Sequence, residues 1–438
     1  MEGLRKLEVK EANRDIIRNY LKDRRAEIEI EGGKIEWEIN RGVPQGSVLG
    51  PALWNIGFNE VVKAGGKDGM VVCYADDTLI LMEGKELGKL LKKVEERASK
   101  MVKEIEGLGL QVAAEKTEMV VFTKKRSEYG ERREIRLNGV CIRAKNDMKY
   151  LGIRLDERLN YTAQIREAYG KTMRAMNSMG ALLGNIKGPT QGKKKLLTNV
   201  GQSIFLYGVP IWGNSIGKGK NKEMVGKVSR ACALRIAAAY RTVSTEAAEV
   251  IASSPPLELI AIMRKEKYER LRQLGMRNLS VKEKIRVRRR IGKEVYKDMV
   301  SKWQDKWALE TGKAIWTRKI IKDVRVWEGR RHGKIDYYLT QFLSGHGAFN
   351  EYLYRFKKRQ SPMCGVCRVQ EDAEHVVLRC PRWNRERGDL DKGEEGETMT
   401  SRKLVGIVIR NKEKWKELAE AVGRILRAKE MEEREMGF

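Results

Sequence analysis

The pattern of apolar residues changes near residue 160, and this change most restricts the fold that the chain can adopt. Before it, short apolar runs of strand length alternate with amphipathic helical stretches, of which the first covers residues 13–24. Period-two alternation in AEIEIE and KIEWEI around Gly32-Gly33 predicts one hairpin, and VVCYADDTLILM predicts two strands that fold back at Asp76-Asp77. Because these elements show no regular strand–helix–strand order, we predict an α+β fold with an antiparallel sheet.

The remaining elements follow from the same patterns. A helix is predicted over residues 87–105, ending at Gly107, and strands are predicted at 118–122 and 149–155 on either side of a hairpin that turns at Asn138-Gly139. Between about 160 and 330 the patterns are almost entirely helical. A final amphipathic helix is predicted from five apolar residues: Leu404, Val408, Trp415, Leu418 and Val422. The sequence therefore divides into segments 1–157, 158–330 and 331–438.

The charge of the chain is strongly one-sided. Its 438 residues include 89 Lys and Arg against 60 Asp and Glu, which gives a formal net charge of +29 and a pI near 9.8. A field of this sign favours a polyanionic partner. No apolar run approaches the ~20 residues that a membrane-spanning helix needs, and the first residues lack the apolar core of a signal peptide. We therefore expect a soluble intracellular protein that binds nucleic acid and does not bind a membrane.

The basic residues are concentrated in the helical part of the chain. Residues 264–334 hold 24 Lys and Arg against nine Asp and Glu, and the densest run is KEKIRVRRR. We expect six side chains of this run to contact nucleic-acid phosphates: Lys282, Lys284, Arg286, Arg288, Arg289 and Arg290. The alternative is a solvated helix face. Four tryptophans of the same region can stack on bases, although their spacing is more typical of a core: Trp303, Trp307, Trp316 and Trp327.

The Asp76-Asp77 pair is the first candidate for chemistry. Adjacent carboxylates at a turn between apolar strands repel each other and lose solvation, and a divalent cation offsets that cost. Magnesium prefers carboxylate and phosphate oxygens, and two such ions can activate an attacking hydroxyl and stabilise a leaving pyrophosphate. The alternative is an ordinary Asp-Asp turn that is exposed to water.

A glycine- and proline-rich loop, RGVPQGSVLGP, lies upstream of YADD, and together the two motifs resemble the palm of reverse transcriptases. The resemblance implies that Asp76 and Asp77 are catalytic carboxylates that hold two magnesium ions. It also implies a nucleotide- and template-binding set that consists of Gln45, Gly46, Ser47, Tyr74 and Ala75. A glycine in such a loop lets the backbone approach a base pair closely.

Two downstream segments continue this resemblance. GLQVAAEKTEMVVF matches the family segment whose lysine protonates the leaving pyrophosphate, which here is Lys116. KYLGIRLD matches the hairpin that steadies the primer end, led by Tyr150, Leu151 and Gly152. Residues 203–213, 235–259 and 336–356 look like the C-terminal region of arthropod LINE-type elements, including those that insert into ribosomal DNA. The chain as a whole resembles the C-terminal portion of a non-LTR (LINE-type) reverse transcriptase.

A cysteine and histidine cluster lies near the C-terminus. CGVCRVQEDAEHVVLRC gives the spacing Cys364-x2-Cys367-x7-His375-x4-Cys380, and three thiolates with one imidazole make a closed zinc site of the structural kind. The alternative is a set of unliganded thiols in a helical hairpin. The cluster resembles the CCHC motif of LINE-type elements, which implies a part in holding RNA or target DNA. The other cysteines, Cys73, Cys141 and Cys232, are expected to be buried free thiols.

Polymerase palms use a third carboxylate, on a strand that precedes the helix predicted at residues 13–24. No apolar strand ending in aspartate is found before Tyr20, and Asp15 lies within the helix pattern. We therefore expect this strand, the fingers and any endonuclease to lie outside the chain, which puts polymerase activity of the chain alone in doubt.

The resulting prediction is an α+β fold with a partial palm at 1–157, a helical thumb and basic linker at 158–330, and a small zinc-binding domain at 331–438. The predicted function is RNA-directed DNA synthesis, with RNA template, DNA primer or target and deoxynucleotides as partners. The alternative is a non-catalytic nucleic-acid-binding remnant. We expect a nuclear location with a cytoplasmic ribonucleoprotein stage, and the sequence leaves the oligomeric state open.

Overall fold

A computed structural model describes residues 1–123, 133–180, 184–186, 188–309, 312–388, 390 and 398–435. The chain divides into two compact units, Met1–Leu159 and Asn160–Phe438, and each is described by itself. The division falls within two residues of the predicted end of the first segment at 157. No helix of the described residues combines the length and the apolar character that crossing a membrane requires.

In the residues that the structure describes, the first unit contains four α-helices and four β-hairpins. Its helices are α1 (Glu2–Lys6), α2 (Glu11–Leu21), α3 (Gly50–Ala64) and α4 (Leu87–Gly107). Its strands are β1 (Arg25–Ile30), β2 (Gly33–Glu38), β3 (Met70–Tyr74), β4 (Asp77–Leu81), β5 (Glu134–Leu137), β6 (Val140–Arg143), β7 (Asp147–Tyr150) and β8 (Ile153–Asp156). Each odd-numbered strand pairs antiparallel with the strand that follows it.

The predicted mixture of helices and antiparallel strands is confirmed, but the single antiparallel sheet is a wrong prediction. The described strands form four separate two-stranded sheets. The predicted strand at 118–122 is not formed either: only Met119 makes a β-bridge, with Ala144. The segment is instead fixed by Glu118, whose carboxylate pairs with Lys145 at 2.7 Å and accepts a hydrogen bond from the backbone N–H of Lys149. These contacts of Glu118 hold the segment in place of the backbone hydrogen bonds that a strand would form.

Residues 149–155, predicted as one strand, are split between β7 and β8. Their two-residue turn consists of Leu151 and Gly152, which have φ angles of +45° and +80°. The hairpin turning at Asn138-Gly139 has the same pattern, with φ angles of +48° and +79°. Asparagine and glycine favour such a turn, whereas leucine rarely adopts a positive φ. The sequence signal for the second turn was therefore weak, although the resemblance to a reverse transcriptase hairpin indicated it.

The core of the first unit lies around α4. Met101 packs with Phe58 and Val61 of α3, and Ala98 and Val102 pack against β5 and β6. These buried residues belong to the predicted apolar stripe, so the helix prediction for 87–105 is confirmed, as is its end at Gly107. The core fixes α3 and β3 against α4 and thereby sets the position of the β3–β4 turn.

The second unit is helical, as predicted for residues 160–330. Its helices are α5 (Thr162–Ser178), α6 (Gln191–Phe205), α7 (Val209–Trp212), α8 (Gly219–Ala237), α9 (Thr245–Ile251), α10 (Leu257–Gln273), α11 (Val281–Ala308), α12 (Ile315–Ile320), α13 (Val324–Gly329), α14 (Tyr337–Ser344), α15 (Asn350–Arg355), α16 (Asn384–Arg387), α17 (Ser401–Val408) and α18 (Lys412–Glu435). The predicted final helix is two helices, because the Asn411 side chain accepts hydrogen bonds from the N–H groups of Glu413 and Lys414 and starts α18 anew.

One hydrophobic core runs through much of the second unit. It joins residues from α8, α9 and α11 to residues of α14, α17 and α18 and to the cysteine segment, so segments 158–330 and 331–438 share it. Three of the four tryptophans belong to this core and are buried: Trp303, Trp307 and Trp327. The core interpretation of their spacing is confirmed. Trp316 is half-buried and donates its indole N–H to the Phe342 carbonyl at 2.6 Å.

Candidate functional site

The β3–β4 turn carries the predicted catalytic carboxylates. Tyr74 pairs with Asp77, so Ala75 and Asp76 are the two turn residues, and Ala75 adopts a left-handed φ of +51°. The indole N–H of Trp54 in α3 donates a hydrogen bond of 2.9 Å to the Ala75 carbonyl. The Trp54 ring is itself stacked on Phe58, with 5.3 Å between ring centroids. Helix α3 therefore holds a turn whose backbone conformation alanine seldom adopts.

Asp76 and Asp77 are both exposed, and neither makes an ion pair within the described part of the chain. The strands that flank them are less buried than predicted, because β3 alternates between exposed and half-buried residues and β4 is half-buried only in its centre. Tyr74 is 66% exposed. Exposed carboxylates without a cationic partner are available to a metal ion from solvent. The arrangement equally fits the exposed-turn alternative.

The β7–β8 hairpin carries the predicted primer-grip residues. The pKa of Tyr150 is raised, first by burial and then by the negative charges of Asp77 and Cys73. Its hydroxyl is buried and has no hydrogen-bond partner among the described residues. Leu151 next to it holds a positive φ, which costs a bulky residue roughly 1–2 kcal/mol. The charge of Asp77 acts on the predicted primer-grip tyrosine, but no hydrogen bond joins the two residues in the described part of the chain.

The predicted nucleotide-binding loop precedes α3. Gln45 and Gly46 are exposed, and Gly46 has a φ of +80°. The Ser47 hydroxyl accepts a hydrogen bond of 2.8 Å from the backbone N–H of Gly50, so this side chain helps to start the helix. Lys116 is exposed at the end of a short 3-10 turn. Neither Gln45 nor Lys116 contacts the β3–β4 turn through a hydrogen bond or ion pair in the described residues.

The four predicted zinc ligands come together in the second unit. One ligand atom from each of Cys364, Cys367, His375 and Cys380 lies within 4.8 Å of all the others. The Cys380 sulfur is 3.8 Å from the Cys364 sulfur and 3.8 Å from the Cys367 sulfur. A tetrahedral zinc site with Zn–S bonds of about 2.3 Å places its sulfurs about 3.8 Å apart. The separation also greatly exceeds a disulfide bond of roughly 2.05 Å.

Burial changes the pKa values of two of the four predicted zinc ligands. The Nε2 atom of His375 is buried and has no hydrogen-bond partner among the described residues. Burial lowers the pKa of His375, so the imidazole is neutral and able to ligate a metal. Burial also raises the pKa of the Cys380 thiol to about 12, so a thiolate at this position needs a nearby positive charge. The donor set and its spacing therefore fit zinc.

The surrounding chain fixes the ligands. Asp372 accepts a hydrogen bond of 2.7 Å from the backbone N–H of His375, and Arg387 donates to the carbonyl of Cys380 at 2.6 Å. Lys429 of α18 pairs at 2.7 Å with Glu371, and both side chains are less than 10% exposed. Sequence reasoning missed these supporting residues. The position of Asp372, three residues before His375, is one from which an aspartate commonly caps a helical turn, so this contact could have been predicted. The contact of Lys429 spans 58 residues, and no local pattern indicates it.

The basic run occupies the first turns of α11. Five of its six cations are exposed and Lys284 is half-buried. Only Arg290 has an ion-pair partner in the described chain, Glu294 at 3.9 Å. Such a row of unpaired cations can bind phosphates, and it also fits a solvated face.

The remaining cysteines differ in burial. Cys232 is buried as predicted, and burial raises its pKa to about 12. Cys73 is half-buried. Cys141 is exposed, which contradicts the prediction of a buried thiol, because alternate residues of β6 face solvent.

Comparison with known proteins finds a family that is similar to the first unit. Residues 1–155 match the family model described as reverse transcriptase (RNA-dependent DNA polymerase). No solved structure matches the chain. The predicted resemblance of the palm motifs to reverse transcriptases is confirmed.

The relatives are retrotransposon proteins of insects. The chain is 27% identical to a retrovirus-related Pol polyprotein from type-1 retrotransposable element R1 2 of Nasonia vitripennis, over 77% of this chain and 85% of the relative. It is 23% identical to a putative 115 kDa protein in element R1DM of Drosophila melanogaster, over 83% of this chain but 36% of that protein. The RNA-directed DNA polymerase from mobile element jockey of Drosophila melanogaster is 27% identical over 47% of this chain. These matches confirm the predicted resemblance to arthropod non-LTR elements.

Proposed function

We propose that this chain, whose residues 1–155 are a reverse transcriptase segment of the arthropod non-LTR type, forms the palm, thumb and C-terminal part of an RNA-directed DNA polymerase. The division into palm at 1–157, thumb and linker at 158–330 and zinc-binding region at 331–438 is part of this proposal. The observation that carries it is the strained β3–β4 turn, which exposes Asp76 and Asp77 to solvent.

Asp76 and Asp77 would hold two magnesium ions in the intact palm. When bound, magnesium activates the primer 3′-hydroxyl and neutralises the leaving pyrophosphate. The chain itself contributes the position of the turn: Trp54 fixes the Ala75 carbonyl, and with it the backbone that carries the adjacent carboxylates. Lys116 would supply a proton to pyrophosphate, while Gln45, Gly46 and Ser47 would pack against the incoming deoxynucleotide and the RNA template.

Primer extension on an RNA template tests the polymerase. The assay compares the 438-residue chain with a version extended at its N-terminus by a reverse transcriptase segment that contains the fingers and the palm strand with the third carboxylate, because no third carboxylate is assigned in residues 1–157. We expect magnesium-dependent extension by the longer protein and its loss in Asp76→Asn. Extension by the shorter chain would show that another acid completes the site. RNA binding without extension by either protein would favour the non-catalytic alternative.

The second part of the proposal concerns nucleic-acid binding by α11. Its unpaired cations would neutralise phosphates of the template and primer or target DNA, so log affinity should fall linearly with log salt at about 0.7–0.9 per phosphate. Reversing Arg288, Arg289 and Arg290 to Glu should weaken binding to all sequences alike. Reversal of the exposed Lys218, Lys220 and Lys222 near the start of α8 is the matched control. Equal losses in both variants would mean that only net charge matters.

The third part is that Cys364, Cys367, His375 and Cys380 bind one structural zinc ion. A closed Cys3His shell leaves no position for a substrate, so its part in function is to keep the C-terminal region folded for RNA or DNA contact. The partners follow from the polymerase part of the proposal: RNA template, DNA primer or target and deoxynucleotides. We place the reaction in the nucleus, where target DNA is found.

A further inference from the structure

A basic groove in the second unit lies apart from the α11 run. It is a cavity of about 960 Å³ between the first turn of α6, the first turns of α18 and the loop 330–336. Six Lys or Arg residues line it: Lys195, Arg330, Arg331, Lys334, Lys412 and Lys416. Three acids also line it, so the groove carries a net positive charge. Sequence analysis did not single out this set, because its members come from three distant parts of the chain.

Each acid of the groove has one polar partner, although the second carboxylate oxygen of Glu328 is buried without a hydrogen bond among the described residues. Glu328 accepts a hydrogen bond of 2.7 Å from the Tyr296 hydroxyl, and Asp336 accepts one of 2.8 Å from the backbone N–H of Leu339. Glu420 pairs with Arg424 at 3.9 Å. Five of the six cations have no ion-pair partner in the part of the chain that the structure describes. Arg330 is hydrogen-bonded to Ser253 and to the Trp327 carbonyl, and the other four are Lys195, Arg331, Lys334 and Lys412. Their charges are therefore available to an anion that enters the groove.

The loop that carries two of these cations is held rigidly. The Ile335 N–H donates to the Gln191 side chain at 3.1 Å, and the Trp415 indole donates to the Lys334 carbonyl at 3.2 Å. His332 donates through Nε2 to the Val408 carbonyl at 2.9 Å. Gly333, with a φ of +84°, lies so close to Trp415 that a Cβ atom would be 2.5 Å from the ring. The cations are thus presented by a fixed backbone, which lowers the entropy lost on binding.

Arg330 is a largely buried cation that lines the groove. Its guanidinium lies 3.9 Å from the Trp327 ring centroid and donates 2.9 Å to the Ser253 hydroxyl. Burial lowers its pKa to about 10, so it still carries a positive charge at neutral pH. Trp415 lines the groove but is itself buried in the core. The groove therefore offers charge without an exposed aromatic surface on which a base can stack.

We propose that the groove formed by Lys195, Arg331, Lys334 and Lys412 binds the phosphate backbone of a single nucleic-acid strand. The proposal rests on the proposed nucleic-acid-binding function and adds to it a second contact site, distinct from α11. A cavity of this size admits one strand but not a duplex. Because phosphates carry no sequence information, binding here is independent of sequence and similar for RNA and single-stranded DNA.

The test measures binding of the full chain to RNA, single-stranded DNA and duplex DNA of one sequence across a range of salt. Arg331→Glu with Lys334→Glu removes two groove cations, and Lys220→Glu with Lys222→Glu is the control of equal charge. For two lost phosphate contacts at about 0.7 each, the slope for single strands should fall by about 1.4, and affinity at 0.1 M salt roughly 25-fold. The control should keep the wild-type slope, and duplex binding should be less affected.

Two results of the binding experiment would contradict the groove proposal. The first is that the groove variant has the same affinity and salt slope as its control, while reversal of Arg288 and Arg289 still weakens binding. The groove proposal would then be wrong and the α11 proposal would stand. If the wild type binds no nucleic acid at low salt, the proposed function and the groove both fail. Lysine acylation gives an independent measurement on unaltered protein: a bound strand should protect Lys195, Lys334 and Lys412 but not Lys220 and Lys222. Equal labelling with and without RNA, or equal protection by polyglutamate, would refute a nucleic-acid groove.

Discussion

Replacement of Cys380 by serine tests the zinc site most directly, because the chain offers a control of the same kind. Cys380 and Cys232 are both 1% exposed and both belong to the second unit, but only Cys380 lies in the Cys3His cluster. Each substitution exchanges a buried thiol for a hydroxyl of similar size. A difference between the two variants therefore reports the metal and not the burial of a polar group.

The expected magnitude follows from the position of the cluster. Binding of zinc to such a set of ligands contributes ~10 kcal/mol or more to folding, whereas a whole domain is stable by only about 5–15 kcal/mol. Cys364 and Cys380 belong to the same hydrophobic core as Trp327, Phe342 and Leu418. Loss of the ion should therefore destabilise the second unit as a whole. A fragment of residues 331–438 would lack part of this core, so the full chain is the protein to test.

The assay combines metal analysis with thermal unfolding under reducing, chelator-free conditions. We expect one zinc per chain in the wild type and in Cys232→Ser, and none in Cys380→Ser. A strong chelator should lower the unfolding temperature of the first two proteins and leave Cys380→Ser unchanged. A wild type without zinc, or equal destabilisation by the two substitutions, would refute the site. The cluster would then be a set of buried thiols held by helix packing.

Three further predictions concern stability. Burial raises the pKa of Glu249 to about 7 from an ordinary 4.5, so the unfolded chain loses this proton first and stability falls as pH rises from 4.5 to 7. Glu249→Gln should therefore gain about 3 kcal/mol on the wild type between pH 4.5 and pH 8, measured by urea unfolding, and a pH-independent difference would refute this. Leu151→Asn should stabilise the first unit by roughly 1 kcal/mol in the same assay, because asparagine tolerates a positive φ; a loss of stability would show that packing of leucine outweighs strain. Lys429→Met should cost about 3–5 kcal/mol by leaving Glu371 buried and unpaired, and Lys429→Met with Glu371→Gln should recover part of it; no recovery would mean that the lysine acts through its packing.

The elements that the sequence predicted well are those whose signals are local. The hairpins at Gly32-Gly33 and Asn138-Gly139 form where turn residues permit positive φ, and α4 ends at the predicted Gly107. The strand predicted at 118–122 failed, since its apolar run was not opposed by a partner strand. Whether strands combine into one sheet depends on contacts between distant segments, and a period-two pattern contains no such information.

The candidate sites divide in the same way. The zinc ligands lie within seventeen residues, so their spacing alone predicted a cluster that the structure brings together. The residues that hold the two sites in place are distant from them in sequence. Lys429 of α18 pairs with Glu371, and Trp54 of α3 donates a hydrogen bond to the Ala75 carbonyl. The basic groove shows the same limit, because Lys195 and Lys412 are adjacent only after the helices have packed.

The two candidate metal sites differ in a way that matches their proposed chemistry. The cysteine cluster is closed: three of its four ligands are buried, and its backbone and flanking side chains are hydrogen-bonded. The aspartate turn is open, with both carboxylates exposed and only the backbone of Ala75 fixed by Trp54. A structural metal needs all its coordination positions filled by protein, whereas a catalytic metal must leave positions for substrate oxygens. Precise placement of the turn with free carboxylates is what catalysis requires. Glycine would fit the positive φ of this turn without strain, and backbone strain of the kind that Ala75 holds is concentrated at functional sites.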